Sequence, residues 1–435
     1  MKLNVAVKQE PVFTHEGAKA VRIDPERQLR RSINACMLWE DTFYEDGQDI
    51  AARIAELIPK CRPEYVAACA FEARTKMKLR HAPLLVVREM ARNAAHKKLV
   101  GKLLGDVIQR PDEITEFLAI YWKDGKKPLS AQVKRGLRHA FLKFNEYQFA
   151  KYDRDGAVRL RDALFLCHAK PLNKEQEKLF KKIVDRKLAT PDTWEVALSG
   201  GADKKESFER LMAEKKLGAL AFLRNLRNMN EAGVSRETVK DYAEGVKVER
   251  VLPFRFIAAA NAVPDWEPIL EPLMLKCLAA QEKIPGRTVL LIDGSGSMES
   301  PVSAKSEISR RDAAIAVAIL LRELCEDVQI YGFSSKLWQI PPRRGFALRE
   351  AINARVIPEA TLLGSAVRYI QAQGRVDRLI VITDEQSQDA PPAPQGTGYV
   401  INVAGYKNGI GYGPWTHIDG WSEAVIDYIR EAEAA

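Results

Sequence analysis

The stretch Val289-Leu-Leu-Ile-Asp293-Gly-Ser295-Gly-Ser297-Met298 decides how the last third of this 435-residue chain is read. Four apolar residues in a row predict a short strand buried on both faces. The Asp-x-Ser-x-Ser that follows predicts a tight turn, permitted by its glycines, that faces one carboxylate and two hydroxyls toward a single point. Three further apolar runs lie downstream, at 328–333, 379–383 and 399–404, with helical patterns between and after them at 309–325, 364–372 and 421–432. Alternation of strand and helix predicts parallel βαβ units and a sheet covered on both faces. Ligands of such sheets bind at the carboxyl ends of the strands. Thr361 precedes the helix at Gly364, and Asp384 ends the run Leu-Ile-Val-Ile-Thr-Asp. Asp293, Ser295, Ser297, Thr361 and Asp384 thus supply five hard oxygen donors from three loops. That set suits an octahedral divalent ion, Mg²⁺ most naturally, with Mn²⁺ or Ca²⁺ as alternatives.

Two other readings of the loop fail on residue identity. A phosphate-binding P-loop needs a lysine after its glycines, and none follows. A nucleophile elbow needs glycine two residues before and after its serine, but Asp293 precedes Ser295 and Ser295 precedes Ser297. A purely structural turn would explain the two serines alone, not Thr361 and Asp384 in order behind them.

Upstream, from about Asp24 to Gln281, the pattern is helix after helix with proline and glycine punctuation. Ser130 predicts a cap for a helix whose apolar positions Val133, Leu137, Ala140, Phe141 and Phe144 fall at three- and four-residue spacing. Its other face carries Lys134, Arg135, Arg138 and Lys143. Units of about 40–47 residues match the length of a two-helix HEAT-type repeat, although no strict sequence period is present. Stacked hairpins of this kind offer a long concave surface.

The overall charge is +9, from 67 basic and 58 acidic side chains, and it is unevenly placed. Residues 285–435 hold 15 basic and 18 acidic groups, which leaves 52 and 40 to residues 1–284. A helical region of net +12 points to a polyanionic partner. Lys123, Lys126 and Lys127, the 134–138 cluster, Arg154, Arg159 and Arg161, then Lys174, Lys178, Lys181 and Lys182 make up its densest part. Tyr147, Phe149 and Tyr152 are interleaved, as base stacking requires, although aromatics at helical spacing are more often core. Solvated helix faces laced by i,i+4 pairs would explain any one cluster, as in Lys-Glu-Gln-Glu-Lys-Leu-Phe-Lys-Lys from Lys174.

The six cysteines are scattered without a Cys-x-x-Cys pair, which speaks against a disulfide scaffold or zinc finger and for a reducing cytoplasm. The first residues lack the apolar region of a secretory signal, and the longest apolar run, residues 313–321, is too short to span a bilayer. The expected setting is cytoplasmic and without membrane contact.

The oxygen-donor pattern resembles the von Willebrand factor A domain and its metal-ion-dependent adhesion site. In that family the metal's open position accepts a carboxylate from a protein partner. The helical part resembles the TROVE module of the Ro 60-kDa autoantigen family. The likeness is carried by Lys151-Tyr152, by Arg161-Asp-Ala-Leu-Phe-Leu-Cys167-His168-Ala-Lys170-Pro171, by Phe222-Leu-Arg224-Asn225-Leu226 and by Leu252-Pro253-Phe254. Lys78-Leu-Arg80-His81-Ala-Pro83 looks like the bacterial version, and the short chain fits a compact bacterial or phage form. The resemblance implies a TROVE domain of HEAT-like repeats, closed into a ring, over 1–284, and an A-like α/β domain over 285–435. It implies a monomeric, non-enzymatic RNA-binding protein. Y-like noncoding RNA would lie on the basic outer surface, and single-stranded 3′ ends of misfolded RNA would enter a central cavity. Polynucleotide phosphorylase, a 3′ exonuclease, would be recruited through the RNA. Lys151 and His168 match family residues implicated in Y RNA binding. Arg154, Arg159, Arg161, Lys170, Lys134 and Arg138 extend that patch, and Arg224 with Arg227 would line the cavity.

Overall fold

A computed structural model describes residues 11–14, 16–20, 23–35, 47–153, 155–199, 201–248, 251, 253–279, 282–302, 306–355, 359–404, 406, 409, 413–420, 425, 429, 430 and 433. They form two compact units. One comprises the described residues from Pro25 to Cys277, the other those before Pro25 together with those from Leu278 onward.

The first unit is built of short helices, from Pro25–Ala35 to the start of Glu267–Ala279. Helices two apart in sequence pack together. Pro63–Thr75, Lys97–Val107 and Ala131–Phe141 form one layer, and His81–Arg92 rests on Asp112–Tyr121 in another. This is a helical-repeat architecture. Its successive first helices start at Pro63, Lys97 and Ala131, 34 residues apart, a tighter pitch than the 40–47 expected. One reason is close approach of backbones. A Cβ added at Gly136 would stand 2.6 Å from Leu104 Cβ and 2.9 Å from the Gly101 carbonyl oxygen, so glycine lets the two helices nearly touch. Ser130 caps its helix as the spacing predicts, accepting from the Val133 amide at 3.3 Å, and Val133, Leu137, Ala140 and Phe141 are buried. Lys143 departs from expectation. The residue is exposed, yet its ammonium donates to the Gly105 carbonyl at 2.6 Å and to that of Ile108, closing the end of the Lys97–Val107 helix.

The second unit carries a six-stranded sheet. In chain order the strands are β1 (Ile284–Asp293), β2 (Cys325–Phe333), β3 (Leu337–Ile340), β4 (Arg378–Thr383), β5 (Thr397–Asn402) and β6 (Thr416–Asp419). Their spatial order is β3-β2-β1-β4-β5-β6. All neighbours are parallel except β3, which returns antiparallel along β2. β4 is buried at every position, as continuous apolar runs in parallel sheets are. Val289, Leu291, Phe333, Val381 and Val400 pack against Leu363, Ala366, Val367 and Ile370 of the Leu363–Ala372 helix. The apolar Arg310–Leu324 helix packs against β1, β2 and β4. Strand order reverses between β1 and β4, and ligands of doubly wound sheets bind at that switch point. β3 and β6 were not expected, because four residues with polar members carry no strand signal. The helix expected at 421–432 lies almost wholly outside the described residues.

The domain boundary is corrected at its start. Residues 11–20, assigned from sequence to the helical region, pack on the sheet. Thr14 Oγ1 donates to the Ser387 carbonyl at 3.0 Å, and Ala18 sits in the sheet's core. A single bridge between Phe13 and Lys19 holds this turn, too short to show a periodicity. Five cysteines are described, all of them buried. Among the described residues no helix is long and apolar enough to cross a membrane.

Candidate nucleic-acid interface and metal constellation

The basic surface is built around the Leu160–Cys167 helix. Arg159 precedes it and pairs with Asp155 at 2.9 Å, while Asp162 accepts from the Arg159 amide at 3.2 Å and charges the first turn favourably. Arg161 is exposed, with Asp162 3.7 Å away. The helix ends on His168 in the left-handed conformation (φ 55°, ψ 47°), where glycine is the usual residue. The His168 amide bonds back to the helix, so its imidazole is held exposed beyond the last turn. Arg138, from the Ala131–Phe141 helix, donates through Nε to the Cys167 carbonyl at 2.6 Å. That bond joins two basic segments into one surface, which carries half-buried Lys134 together with exposed Arg138, Arg161, His168 and Lys170. Cys167 itself is core, its thiol pushed up to about 11 by burial.

Lys151, in the Glu146–Tyr152 helix, is half-buried, its ammonium 5.8 Å from the Tyr152 ring centre. The Arg110 guanidinium lies over the same ring at 4.4 Å. Arg110 leads to a buried ion pair. Arg74 donates to Glu113 at 2.7 Å, with the two side chains 7% and 0% exposed, and Glu113 also accepts from the amides of Gln109 (2.7 Å) and Arg110 (3.1 Å). Arg80 adds bonds to Asp112, Glu113 and Glu116, so this arginine of the bacterial-type motif ties helices together. Arg154 lies outside the described residues. Arg224 and Arg227 are exposed on a separate helix, Ala219–Glu231. Burial and the charge of nearby Arg224 push the Arg255 guanidinium down, so cationic charge is concentrated there too.

Sequence reasoning overlooked the apolar members of the surface. Phe165 is 57% exposed and Leu172 74% exposed, in the same segment as Arg161, His168 and Lys170. Phe165 stands four residues after Arg161 and three before His168, a spacing that was available as a signal. Of the aromatics that were considered, Phe149 is core against Phe141 and Phe144, and Tyr147 is exposed.

In the α/β unit Asp293 ends β1 and Asp384 follows β4, on adjacent parallel strands. The Asp293 carboxylate accepts from the Ser295 amide at 2.9 Å and from Thr383 Oγ1 at 2.5 Å. Ser295 and Ser297 hydroxyls are 3.2 Å apart, as two donors converging on one point would be. Asp293, Ser295, Thr361 and Asp384 are buried and Ser297 is half-buried. Thr361 is tied to the loop after β4, its carbonyl accepting from Ser387 Oγ at 2.9 Å and the Gln388 amide at 2.8 Å. Burial, then the charge of Asp384, raises the Asp293 carboxyl above the usual range. Two buried carboxylates and converging hydroxyls fit a hard divalent cation in kind. Part of their charge is already balanced, because Arg310 Nη1 stands 3.5 Å from Asp384 Oδ2.

Glu385 faces away from this site. Its backbone is left-handed (φ 63°), which turns its side chain to His417 of β6, Nε2 to Oε1 at 2.7 Å. Asp419 lies 3.3 Å from the other ring nitrogen. Burial alone would lower the His417 pKa, but the two carboxylates override it and push it up to about 9. The signal for this cluster was His417-x-Asp419, alternate residues that share one strand face.

Residues 184–288 match the TROVE domain family. That match spans about a quarter of the chain. The match takes in the Arg224 and Leu252 motifs and leaves Lys151 and His168 outside it. The chain is 28% identical over 201 residues to telomerase protein component 1 of Mus musculus, an alignment that covers 41% of this chain. The chain spans about 7% of the length of that curated relative. The crystal structure of the Deinococcus radiodurans Ro (Rsr) protein aligns with a TM-score of 0.60 over 92% of this chain and 97% of that one, at 19% identity. The fold is therefore shared with that Ro protein: helical repeats followed by a von Willebrand factor A-like domain.

Proposed function

We propose that this chain is an RNA-binding protein of the TROVE type, that it binds small noncoding RNA of the Y type on the surface formed by residues 134–138 and 159–170, and that it acts without catalysing a reaction on it. One observation carries the reading. The Arg138–Cys167 bond brings two basic segments to either side of a histidine held outward by a left-handed backbone. Lysine and arginine neutralise phosphates, while an exposed imidazole stacks on a base or donates to phosphate. Arg224 and Arg227 would serve single-stranded ends of misfolded RNA, and a 3′ exonuclease such as polynucleotide phosphorylase would be recruited through the RNA. The test is Lys151→Ala combined with His168→Ala. RNA binding should weaken while the thermal midpoint stays near wild type, since neither side chain is fully buried. Wild-type affinity in the double variant would remove both residues from the interface.

A second reading concerns the other unit, and the convergence of Ser295 and Ser297 beside Asp293 favours it. The α/β unit would hold a divalent cation, Mg²⁺ first, through Asp293, Ser295, Ser297, Thr361 and Asp384. When bound, the ion would supply a Lewis-acidic position for a partner's carboxylate. Asp293→Ala should then abolish binding of a protein partner and leave RNA binding intact.

A further inference from the structure

We infer that Arg310 is a resident counter-ion of the Asp293–Asp384 constellation, so that a divalent cation competes with it and binds weakly. The inference rests on the reading of those carboxylates as a cation site and limits it.

Arg310 is the first residue of its helix, and its backbone is fixed on two sides. Ser309 and Asp312 form a reciprocal capping box at 3.0 Å each way, and the Arg310 amide donates to the Ser300 carbonyl at 2.9 Å. Side chains on a helix lean toward its N-terminus, here toward the Asp-x-Ser-x-Ser loop. Arg310 Nη1 accordingly stands 3.4 Å from the Ser297 carbonyl and 3.5 Å from Asp384 Oδ2. The two side chains are 2% and 1% exposed. The adjacent Arg311 turns instead to Glu299, so burial at Asp384 is specific to Arg310.

A buried guanidinium is stable only with partners, and the Asp384 carboxylate and the Ser297 carbonyl are two of them. With Asp293 and Asp384 both ionised, Arg310 brings the set to −1, and a divalent ion would take it to +1. Without Arg310 the same ion would take the set from −2 to neutrality. Low-dielectric surroundings magnify that difference.

The experiment measures Mn²⁺ binding to the full chain by calorimetry and by the loss of the free-ion paramagnetic signal. Arg310→Met should bind Mn²⁺ at least tenfold more tightly than wild type, and Arg310→Lys should stay near wild type. Tight wild-type binding that Arg310→Met leaves unchanged would overturn the inference and keep the cation site. A folded Arg310→Met that binds no Mn²⁺ would overturn the cation site and the inference with it. Wild-type melting provides a measurement independent of these variants, since a ligand that binds the folded state raises its midpoint. The midpoint should stay fixed through micromolar Mn²⁺. A rise there that Asp293→Asn abolishes would overturn the inference.

Discussion

Phe165→Ala separates base stacking from general charge attraction. The side chain is 57% exposed, so its removal takes little apolar area out of the core. The stability of the free protein should change by no more than about 0.5 kcal/mol. Stacking of one base on an aromatic ring is worth about 1–3 kcal/mol. Affinity for single-stranded RNA should therefore fall roughly 5- to 150-fold, at about 1.4 kcal/mol per factor of ten. Fluorescence anisotropy with a labelled 12-nucleotide single-stranded RNA reads this directly. No phosphate contact is lost, so the dependence of log K on log salt should keep its wild-type slope. Arg161→Ala should instead flatten that slope by about 0.7, the value for one contact to a single strand. Phe165→Tyr preserves the ring and should bind like wild type. An unchanged affinity in Phe165→Ala would refute the stacking argument. So would a fall of several degrees in the melting midpoint, because the ring would then be packing rather than waiting for a base.

Two predictions concern stability. Glu113→Ala leaves the Arg74 guanidinium buried without its carboxylate and frees the Gln109 and Arg110 amides. It should cost about 3–5 kcal/mol, read by denaturant melts, and because Arg110 covers Tyr152 it should also weaken RNA binding. A loss under 1 kcal/mol would contradict the buried pair. His417→Asn leaves Glu385 and Asp419 facing each other and should destabilise the α/β unit by about 3 kcal/mol at pH 6. The folded pKa of about 9 lies above the ordinary 6.5, so the contribution of His417 is complete below about pH 6.5 and is lost as pH rises through 9. The gap between wild type and variant should close over that window, and a gap constant with pH would show that His417 is not held as the cation.

The sequence reading succeeded where one physical signal dominates. Val289–Ile292 and the Leu379 run are continuous apolar stretches, and only a strand buried on both faces uses them. The chain order of Asp293, Ser295, Ser297 and Asp384 points to the loops after two apolar runs, and those runs are the adjacent strands β1 and β4. Arg310 was not legible, since an arginine at a helix start reads as solvated, and only the capping geometry turns it inward. Phe165 was hidden for the opposite reason, because an aromatic at helical spacing reads as core until the fold leaves it outside. Lys143 looked like part of the basic face, yet its stem reaches over the neighbouring helix and its charge is spent on two carbonyls. The turn at residues 11–20 depends on partners more than 300 residues away, which no local window contains.

The central claim is that RNA is bound through the phosphate contacts of this basic surface. Its most direct test is the affinity of the wild-type chain for a small structured RNA, measured from about 50 to 200 mM salt. Three or more phosphate contacts predict a log–log line of negative slope and a loss of at least about tenfold across that range. An affinity that stays level over the same range would contradict the account.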